Sequence, residues 1–447
     1  MLGFDVGLLD GLFPLALTIA TCAALLGAMV RKDRDWWIRT VAPAIVGSLL
    51  VVALINRLLD LRSRFGEIIP LQFVLFAALP LIAIVIGARG WRSSGRLRRF
   101  ASVVAVPLAV GYAANSINQY YSYVPTVGAL VGADLEHQVP PTALELSQLL
   151  PGPTPTPAST PASTPGSTPA STPASTPQVG HRHWKHGAVT RIDIPGTVSH
   201  FVARPSYVWV PPAFFEQPRP QLPVVVILAG TPGEPDNMIR AGHANAVAER
   251  YAAAHDGIAP ILVFADGNGS FTADTECVDS NRGAAETYLT VDVPAFVTRV
   301  FSTATGPAHW AVEGFSEGGT CAAVLALGHP DVYGAFVDIA GDPYPNVGAH
   351  GDRATTIRSL YGGDEAAFTA HDPTVLIQRP SAQSVGAWFE AGHDDHRRVR
   401  TAREFDERCR NAGLQSHLTI TSGGHDFSTA RHGVADSFSW LAGRLGA

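Results

Sequence analysis

The sequence is short of charge, because Asp, Glu, Lys and Arg together make up only 16% of its 447 residues. Lysine occurs twice, and no long cationic stretch follows the first hundred residues, which argues against nucleic acid as a partner. Apolar side chains reach 46%, a content too high for a disordered chain. The length predicts two or three domains.

The charge is also divided unevenly along the chain. Residues 1–133 contain 12 basic and 6 acidic side chains, a net charge of +6, whereas the remainder contains 20 and 32, a net charge of −12. The basic part includes four apolar runs, over residues 8–30, 38–58, 68–88 and 101–117. Each is long enough to cross a bilayer as a helix, and charge is scarce within them. We therefore predict a four-helix transmembrane anchor over residues 1–133, rather than a transporter or a soluble bundle.

The basic residues between the runs predict how these helices are oriented. The first and third connections carry nine, the second carries three, and the outer flanks carry none. Because cytoplasmic loops are enriched in Lys and Arg, the first and third connections should lie in the cytoplasm. Both termini are then outside the plasma membrane. The nine residues are Arg31, Lys32, Arg34, Arg39, Arg89, Arg92, Arg96, Arg98 and Arg99.

A segment rich in Pro, Ser, Thr and Ala separates the two parts, and we assign residues 134–186 to it. Its centre, residues 151–177, repeats Pro-Ala-Ser-Thr and has no apolar side chain larger than Ala. Such a composition favours an extended polyproline conformation, in which 27 residues reach on the order of 80 Å. The pattern predicts an extracytoplasmic stalk that carries a separate domain over residues 187–447.

In that domain, short apolar runs alternate with helical periodicity, which predicts a mainly parallel sheet with helices on both faces. The most informative segment is Gly314-Phe-Ser316-Glu-Gly318, between an apolar strand and a helix rich in small residues. Glycine on both sides of a serine permits the sharp strand-to-helix turn that exposes a nucleophilic hydroxyl. We predict Ser316 as a catalytic nucleophile.

A nucleophilic serine needs a base and an acid that orients the base, in the chain order Ser, acid, His. His425 lies between the predicted last strand and last helix, where the base is expected. For the acid we favour Asp395, three residues after the turn glycine Gly392, with Asp394 second and Glu390 third. The run from His393 to His396 is a poor metal site, since four consecutive residues rarely converge on one ion. The sequence therefore indicates neither a metal nor a cofactor.

The oxyanion of an acyl transfer also requires backbone N–H donors that are already in position. One is expected from Glu317, the residue after the nucleophile, and the other from the loop after an early strand. In that loop Pro232 has no N–H, which leaves Thr231 as the second predicted donor.

Several segments together resemble the esterase D-like α/β-hydrolases, and within them the chain is similar to the branch containing the mycobacterial antigen 85 mycolyltransferases. The resemblance implies an α/β-hydrolase fold and ester chemistry at Ser316. The acid segment departs from the mycolyltransferase pattern, so the acyl group and its acceptor stay open. The segments are residues 224–233, 265–267 and 286–294, the turn at Ser316 and residues 424–427.

Three cysteines in the outer domain allow at most one internal disulfide. We expect Cys277 to pair with Cys321, because the loop and the helix that contain them should both adjoin the site; a small buried hydrophobe is the alternative for Cys321. The segment from Gly341 to Ser384 has only 44 residues, too few for a large lid, so we expect an open site.

Taken together, these features predict a membrane-anchored serine esterase or acyltransferase that acts on acyl esters, of a lipid or glycolipid, in the cell envelope. Its predicted partners are the lipid bilayer and the ester substrate. The alternative is a non-catalytic envelope-binding or scaffold protein with a hydrolase-like domain.

Overall fold

The structure is a computed structural model that describes residues 6–58, 71–131, 135–144, 184–347 and 352–447. Most of the predicted stalk, including the whole Pro-Ala-Ser-Thr repeat, lies outside the described residues. Its extended conformation therefore stays a prediction.

Within the described residues, four helices are long and apolar enough to cross a membrane. Their mean hydropathy lies between 1.6 and 2.2, and only 11 to 33% of each apolar stretch is buried inside the protein. The remaining apolar surface faces outward, as it does in helices that are solvated by lipid. The helices are α1 (Leu12–Met29), α2 (Arg34–Leu58), α3 (Leu71–Gly90) and α4 (Arg96–Tyr121).

The helix α4 extends several residues beyond its apolar run at both ends. It begins with the basic residues Arg96, Arg98 and Arg99 and ends in the polar stretch around Gln119. Hydropathy alone marks the apolar centre of such a helix and misses its polar ends, which explains the shorter predicted span.

The outer domain is built on an eight-stranded sheet in the order β1-β2-β4-β3-β7-β8-β9-β10. All pairs from β4 to β10 are parallel, while β2 is antiparallel to both of its neighbours. The predicted mainly parallel sheet is thus confirmed, and β1 is a strand that the prediction missed. The strands are β1 (Ala188–Ile192), β2 (Ser206–Val210), β3 (Val224–Leu228), β4 (Ile261–Ala265), β7 (Trp310–Phe315), β8 (Ala335–Ile339), β9 (Gly386–Gly392) and β10 (Ser416–Thr421); β5 (Asp279–Ser280) and β6 (Gly283–Ala284) form a separate small pair.

Helices cover both faces of the sheet and enclose one apolar core on each side. The central strands β3, β4, β7 and β8 are buried along their whole length, as expected for a parallel sheet covered on both faces. Among the described residues between β8 and β9 there are three short helices, α10 to α12. These three are α10 (Arg353–Leu360), α11 (Glu365–Ala370) and α12 (Pro373–Leu376). The other α-helices after α4 are α5 (Val127–Leu130), α6 (Asn237–Arg240), α7 (Ala244–Ala254), α8 (Val293–Phe301), α9 (Glu317–Gly328), α13 (His396–Asn411) and α14 (Phe427–Leu445); a helical turn over Ala285–Thr287 and a π-helical turn over Tyr288–Asp292 lead directly into α8.

Candidate active site

Ser316 occupies the sharp turn between β7 and α9. Its φ of 61° and ψ of −122° are strained values for a residue with a side chain. The turn depends on its two glycines, because a Cβ at Gly314 would collide with the backbone of Gly318, and a Cβ at Gly318 would collide with the carbonyl of Leu228. The strained turn places the hydroxyl at the carboxyl edge of the parallel strands.

The Ser316 hydroxyl lies at one end of a hydrogen-bonded row of three side chains. His425 Nε2 is 2.8 Å from Ser316 Oγ, and His425 Nδ1 is 3.0 Å from Asp395 Oδ2. Because an ionised carboxylate can only accept, Nδ1 carries the proton and Nε2 is left to accept from the serine hydroxyl. His425 comes from the loop between β10 and α14, and Asp395 follows β9 and caps α13 by accepting from the Arg398 N–H.

Of the three candidate acids, Asp395 is the one that the structure brings to His425. Burial acts to raise the pKa of Asp395, but the hydrogen bond and charge of His425, with the charge of Arg398, outweigh it and lower the pKa below its ordinary value. Asp394 is exposed and contacts His393 at 3.0 Å. Glu390 is buried within β9, where it accepts from Trp388 Nε1 at 3.2 Å.

The loop after β3 passes close to the serine turn. A Cβ at Gly230 would lie 2.9 Å from both the Phe315 carbonyl oxygen and Ser316 Cβ, so only glycine allows this approach. Thr231 follows directly. In the part of the chain that the structure describes, neither the Thr231 N–H nor the Glu317 N–H has a protein acceptor. Both predicted donors are therefore available to a ligand oxygen beside Ser316.

The side chains of Thr231 and Glu317 are joined to each other, a feature that the sequence did not reveal. The Thr231 hydroxyl contacts Glu317 Oε2 and also lies 3.0 Å from the Ala273 carbonyl oxygen. Asn268 Nδ2 donates to both side chains, at 2.8 Å each. The network ties the loop after β3 to the start of α9, which sets the spacing between the two N–H groups.

Glu317 belongs to a group of buried acids beside this loop. Burial, with the nearby charge of Asp274, raises the pKa of Glu317 to about 8. Burial likewise raises the pKa of Glu276 well above its ordinary value and that of Asp274 to about 6. Near neutral pH the Glu317 side chain is therefore largely a neutral carboxylic acid.

A disulfide joins Cys277 to Cys321 at the back of this site. It links the loop that carries the buried acids to α9, one turn after the nucleophile. A carboxylate oxygen of Glu317 lies within 4.8 Å of both sulfur atoms. The crosslink therefore holds together the same two segments that the network of Thr231 and Asn268 connects.

A mainly parallel sheet with a serine on a strand-to-helix turn, next to a histidine and an aspartate from later loops, defines the α/β hydrolases as a class. Within that class, the model of the Esterase family matches residues 203–442, more than half of the chain. The chain therefore belongs to the Esterase family, and the sequence-based prediction of an esterase is confirmed at this level.

The chain is also similar to individual proteins. An uncharacterized protein of Corynebacterium glutamicum is 36% identical over 270 residues, which cover 58% of this chain and 63% of that protein. The match thus spans less than two thirds of the relative's length. A ferulic acid esterase superimposes with a TM-score of 0.50 and 18% identity, over 58% of this chain and 99% of the other. MPT51 of Mycobacterium tuberculosis gives a TM-score of 0.40 and 20% identity, over 54% and 93%. At 18% identity the likeness to the ferulic acid esterase bears on the fold alone.

Proposed function

We propose that the protein is a membrane-anchored serine esterase or acyltransferase that cleaves acyl esters of lipids or glycolipids outside the plasma membrane. The observation that carries this proposal is the row of Ser316, His425 and Asp395, with contacts of 2.8 and 3.0 Å. In this arrangement a hydroxyl, a base and an orienting carboxylate stand in the order that acyl transfer requires.

The reaction begins when Ser316 Oγ attacks the ester carbonyl while His425 Nε2 takes the hydroxyl proton. The negative charge that forms on the carbonyl oxygen is held by the N–H groups of Thr231 and Glu317. His425 then protonates the departing alcohol, which leaves the acyl group on Ser316. In the second half, His425 deprotonates the incoming acceptor. Water as acceptor releases a carboxylic acid, whereas a sugar or lipid hydroxyl yields a new ester.

The membrane part of the proposal rests on the four apolar helices and on where their basic residues lie. Arg31, in the first connection, donates to Ser93 and Ser94 in the third, each at 2.8 Å. The two connections that carry the nine basic residues therefore meet at one end of the helices, which we place in the cytoplasm. The catalytic domain follows the opposite end and is then extracytoplasmic.

The catalytic proposal is tested by labelling the full-length protein in detergent with a fluorophosphonate, which reacts with activated serines. Wild-type protein should be labelled, and Ser316→Ala should not. Ser384→Ala, which removes a serine far along the chain from the site, is the matched control and should label normally. Labelling that is absent from wild type, or that persists in Ser316→Ala, refutes the proposal and favours a non-catalytic binding protein.

The orientation is tested with a membrane-impermeant maleimide on intact cells, in a protein whose free cysteines Cys22 and Cys409 are replaced by serine. A cysteine introduced at the exposed residue Val131 should react from outside. One introduced at Arg92, in the third connection, should react only after the cells are opened. The reverse pattern contradicts the proposed topology.

A further inference from the structure

A cavity of about 510 Å³ lies between the catalytic domain and the chain segment that follows α4. Its volume is within the range of small-molecule sites, about 300 to 1,000 Å³. One wall, formed by residues 123–130, is mainly apolar and includes Val124, Pro125 and Leu130. The opposite wall belongs to the catalytic domain and is mainly charged.

The apolar wall is fixed to the end of the helices that is distant from the basic connections. Asn118, in the last turn of α4, accepts from the Val124 N–H at 2.7 Å and donates to the Val124 carbonyl oxygen at 2.9 Å. The Leu8 N–H, next to the start of α1, donates to the Pro125 carbonyl oxygen at 2.8 Å. Further along the same segment, Leu130 and Val131 are 63% and 68% exposed. The wall therefore continues the apolar surface of the helices toward the enzyme.

The charged wall includes Arg191, Arg204 and Arg240 together with Glu234 and Asp236. Arg204 pairs with Glu234 at 2.8 Å, and Arg240 pairs with Asp236 at 2.7 Å. Among the described residues Arg191 has no ion-pair partner, which leaves one cation on this wall to meet a polar or anionic group. One wall is apolar and the other is charged, so the cavity matches a molecule that has an apolar end and a polar end.

One loop and a row of aromatic side chains link the cavity to the catalytic centre. Glu234, in the charged wall, belongs to the same loop as Thr231. On the other side, Tyr123 donates to Asn237 Oδ1 at 3.1 Å and its ring contacts Phe427, with ring centroids 5.4 Å apart. Phe427 in turn contacts Phe315, and Phe315 stacks on His425 with centroids 5.1 Å apart. A row of three aromatic side chains, Tyr123, Phe427 and Phe315, therefore connects the wall of this cavity to the catalytic histidine.

We propose that this cavity binds an acyl-ester amphiphile of the outer leaflet, with its acyl chain against residues 123–130 and its polar head toward Arg191. The inference rests on the proposed function and deepens it, because it makes the anchor part of the substrate site. The membrane helices then do more than tether the enzyme, since the segment that follows them receives the chain directly from the bilayer.

The kinetic test compares a long-chain and a short-chain ester, p-nitrophenyl palmitate and p-nitrophenyl acetate, with full-length protein in phosphatidylcholine vesicles. Leu130→Asp should lower the ratio of the two kcat/KM values, palmitate over acetate, by at least about tenfold, because a charge replaces apolar contact with the chain. Val198→Asp is the matched control, since Val198 is also exposed but lies outside the cavity. An unchanged ratio in Leu130→Asp, including an equal fall for both esters, overturns the inference.

A second readout is independent of catalysis and separates the two proposals. Ser316→Ala protein in vesicles that contain a phospholipid with a diazirine in its acyl chain is irradiated, and the crosslinked peptides are identified. Crosslinks within residues 123–130 that decrease in the Leu130→Asp background support the cavity even if no esterase activity is found. Crosslinks confined to α1 to α4 overturn it, even if fluorophosphonate labels Ser316.

Discussion

Substitutions of Glu317 test how its side chain positions Thr231, one of the two predicted oxyanion donors. The Thr231 hydroxyl has a single proton, and the Ala273 carbonyl beside it can only accept. The Thr231 hydroxyl and Asn268 Nδ2 both donate to Glu317 Oε2, so this oxygen holds the Thr231 side chain in place. Burial, with the nearby charge of Asp274, raises the pKa of Glu317 to about 8, which favours the uncharged form of this side chain near neutral pH.

Two substitutions separate the charge of Glu317 from its hydrogen bonds. Glu317→Gln stays uncharged, and its amide oxygen can accept from both Asn268 and Thr231, so it should retain most of the activity. Glu317→Ala removes both contacts and frees Thr231. Loss of one oxyanion donor costs about 100- to 1,000-fold in kcat, so the Ala variant should fall by about 100-fold, mainly in kcat.

The pH dependence carries the same argument further. Above its pKa the carboxyl group ionises and places a buried negative charge beside the oxyanion, so wild-type kcat should fall as pH rises past about 8. The Gln variant has no such ionisation and should lack this decline. Steady-state hydrolysis of p-nitrophenyl acetate between pH 6 and 10 measures all three proteins. Full activity in Glu317→Ala, or the same alkaline decline in Glu317→Gln, would refute the reasoning.

Three further predictions concern the orienting acid Asp395, the disulfide at Cys277 and the buried carboxyl group of Glu313. Asp395→Asn should lower kcat by about 10⁴-fold by disturbing the His425 tautomer, while the exposed Asp394→Asn should not; a similar loss in both would contradict the assignment. Cys277→Ser opens a crosslink across a separation of 44 residues and should lower the free energy of unfolding by about 4 kcal/mol in urea denaturation of the full chain. Burial raises the pKa of Glu313 to about 8, and its protonation on folding near pH 7 costs on the order of 3 kcal/mol. Glu313→Gln should therefore be stabilised at pH 7 to 8, with the gain vanishing near pH 4, where both states of the wild type are protonated; a gain independent of pH would contradict this cause.

The features that the sequence predicted well are those encoded in contiguous residues. The turn at Ser316 needs a buried strand, two glycines and a helix of small residues, and all of them lie between Trp310 and Gly328. The central strands are apolar over their whole length because helices cover both sheet faces, so they stand out in the sequence. The position of His425 after the last strand follows from the order of the elements.

Other features depend on backbone direction or on partners distant in the sequence. Asp394 and Asp395 are chemically equivalent in the sequence, and a turn in which the Asp395 N–H donates to the Gly392 carbonyl oxygen at 2.9 Å decides which carboxyl group faces His425. The destination of the Glu317 side chain depends on Asn268, about fifty residues earlier. Tyr123 contacts Phe427, which lies about 300 residues later in the chain, and no local sequence pattern predicts this contact.

The net charge of −12 after residue 133 can also be reconsidered in the light of burial. Five of the acids counted there are buried in the sheet or beside it. Burial raises the pKa of Glu313, Glu317 and Glu390 to about 8, that of Asp338 to about 7 and that of Glu276 well above its ordinary value. These shifts favour the protonated forms near neutral pH, so the folded domain carries less negative charge than its composition indicates. In the proposed mechanism this matters at Ser316, because a buried negative charge would oppose the oxyanion. Asp395, by contrast, has a lowered pKa and faces His425, where its charge stabilises the imidazolium that forms during the reaction. Burial therefore keeps Glu317 neutral beside the oxyanion, while hydrogen bonding keeps Asp395 ionised behind the base.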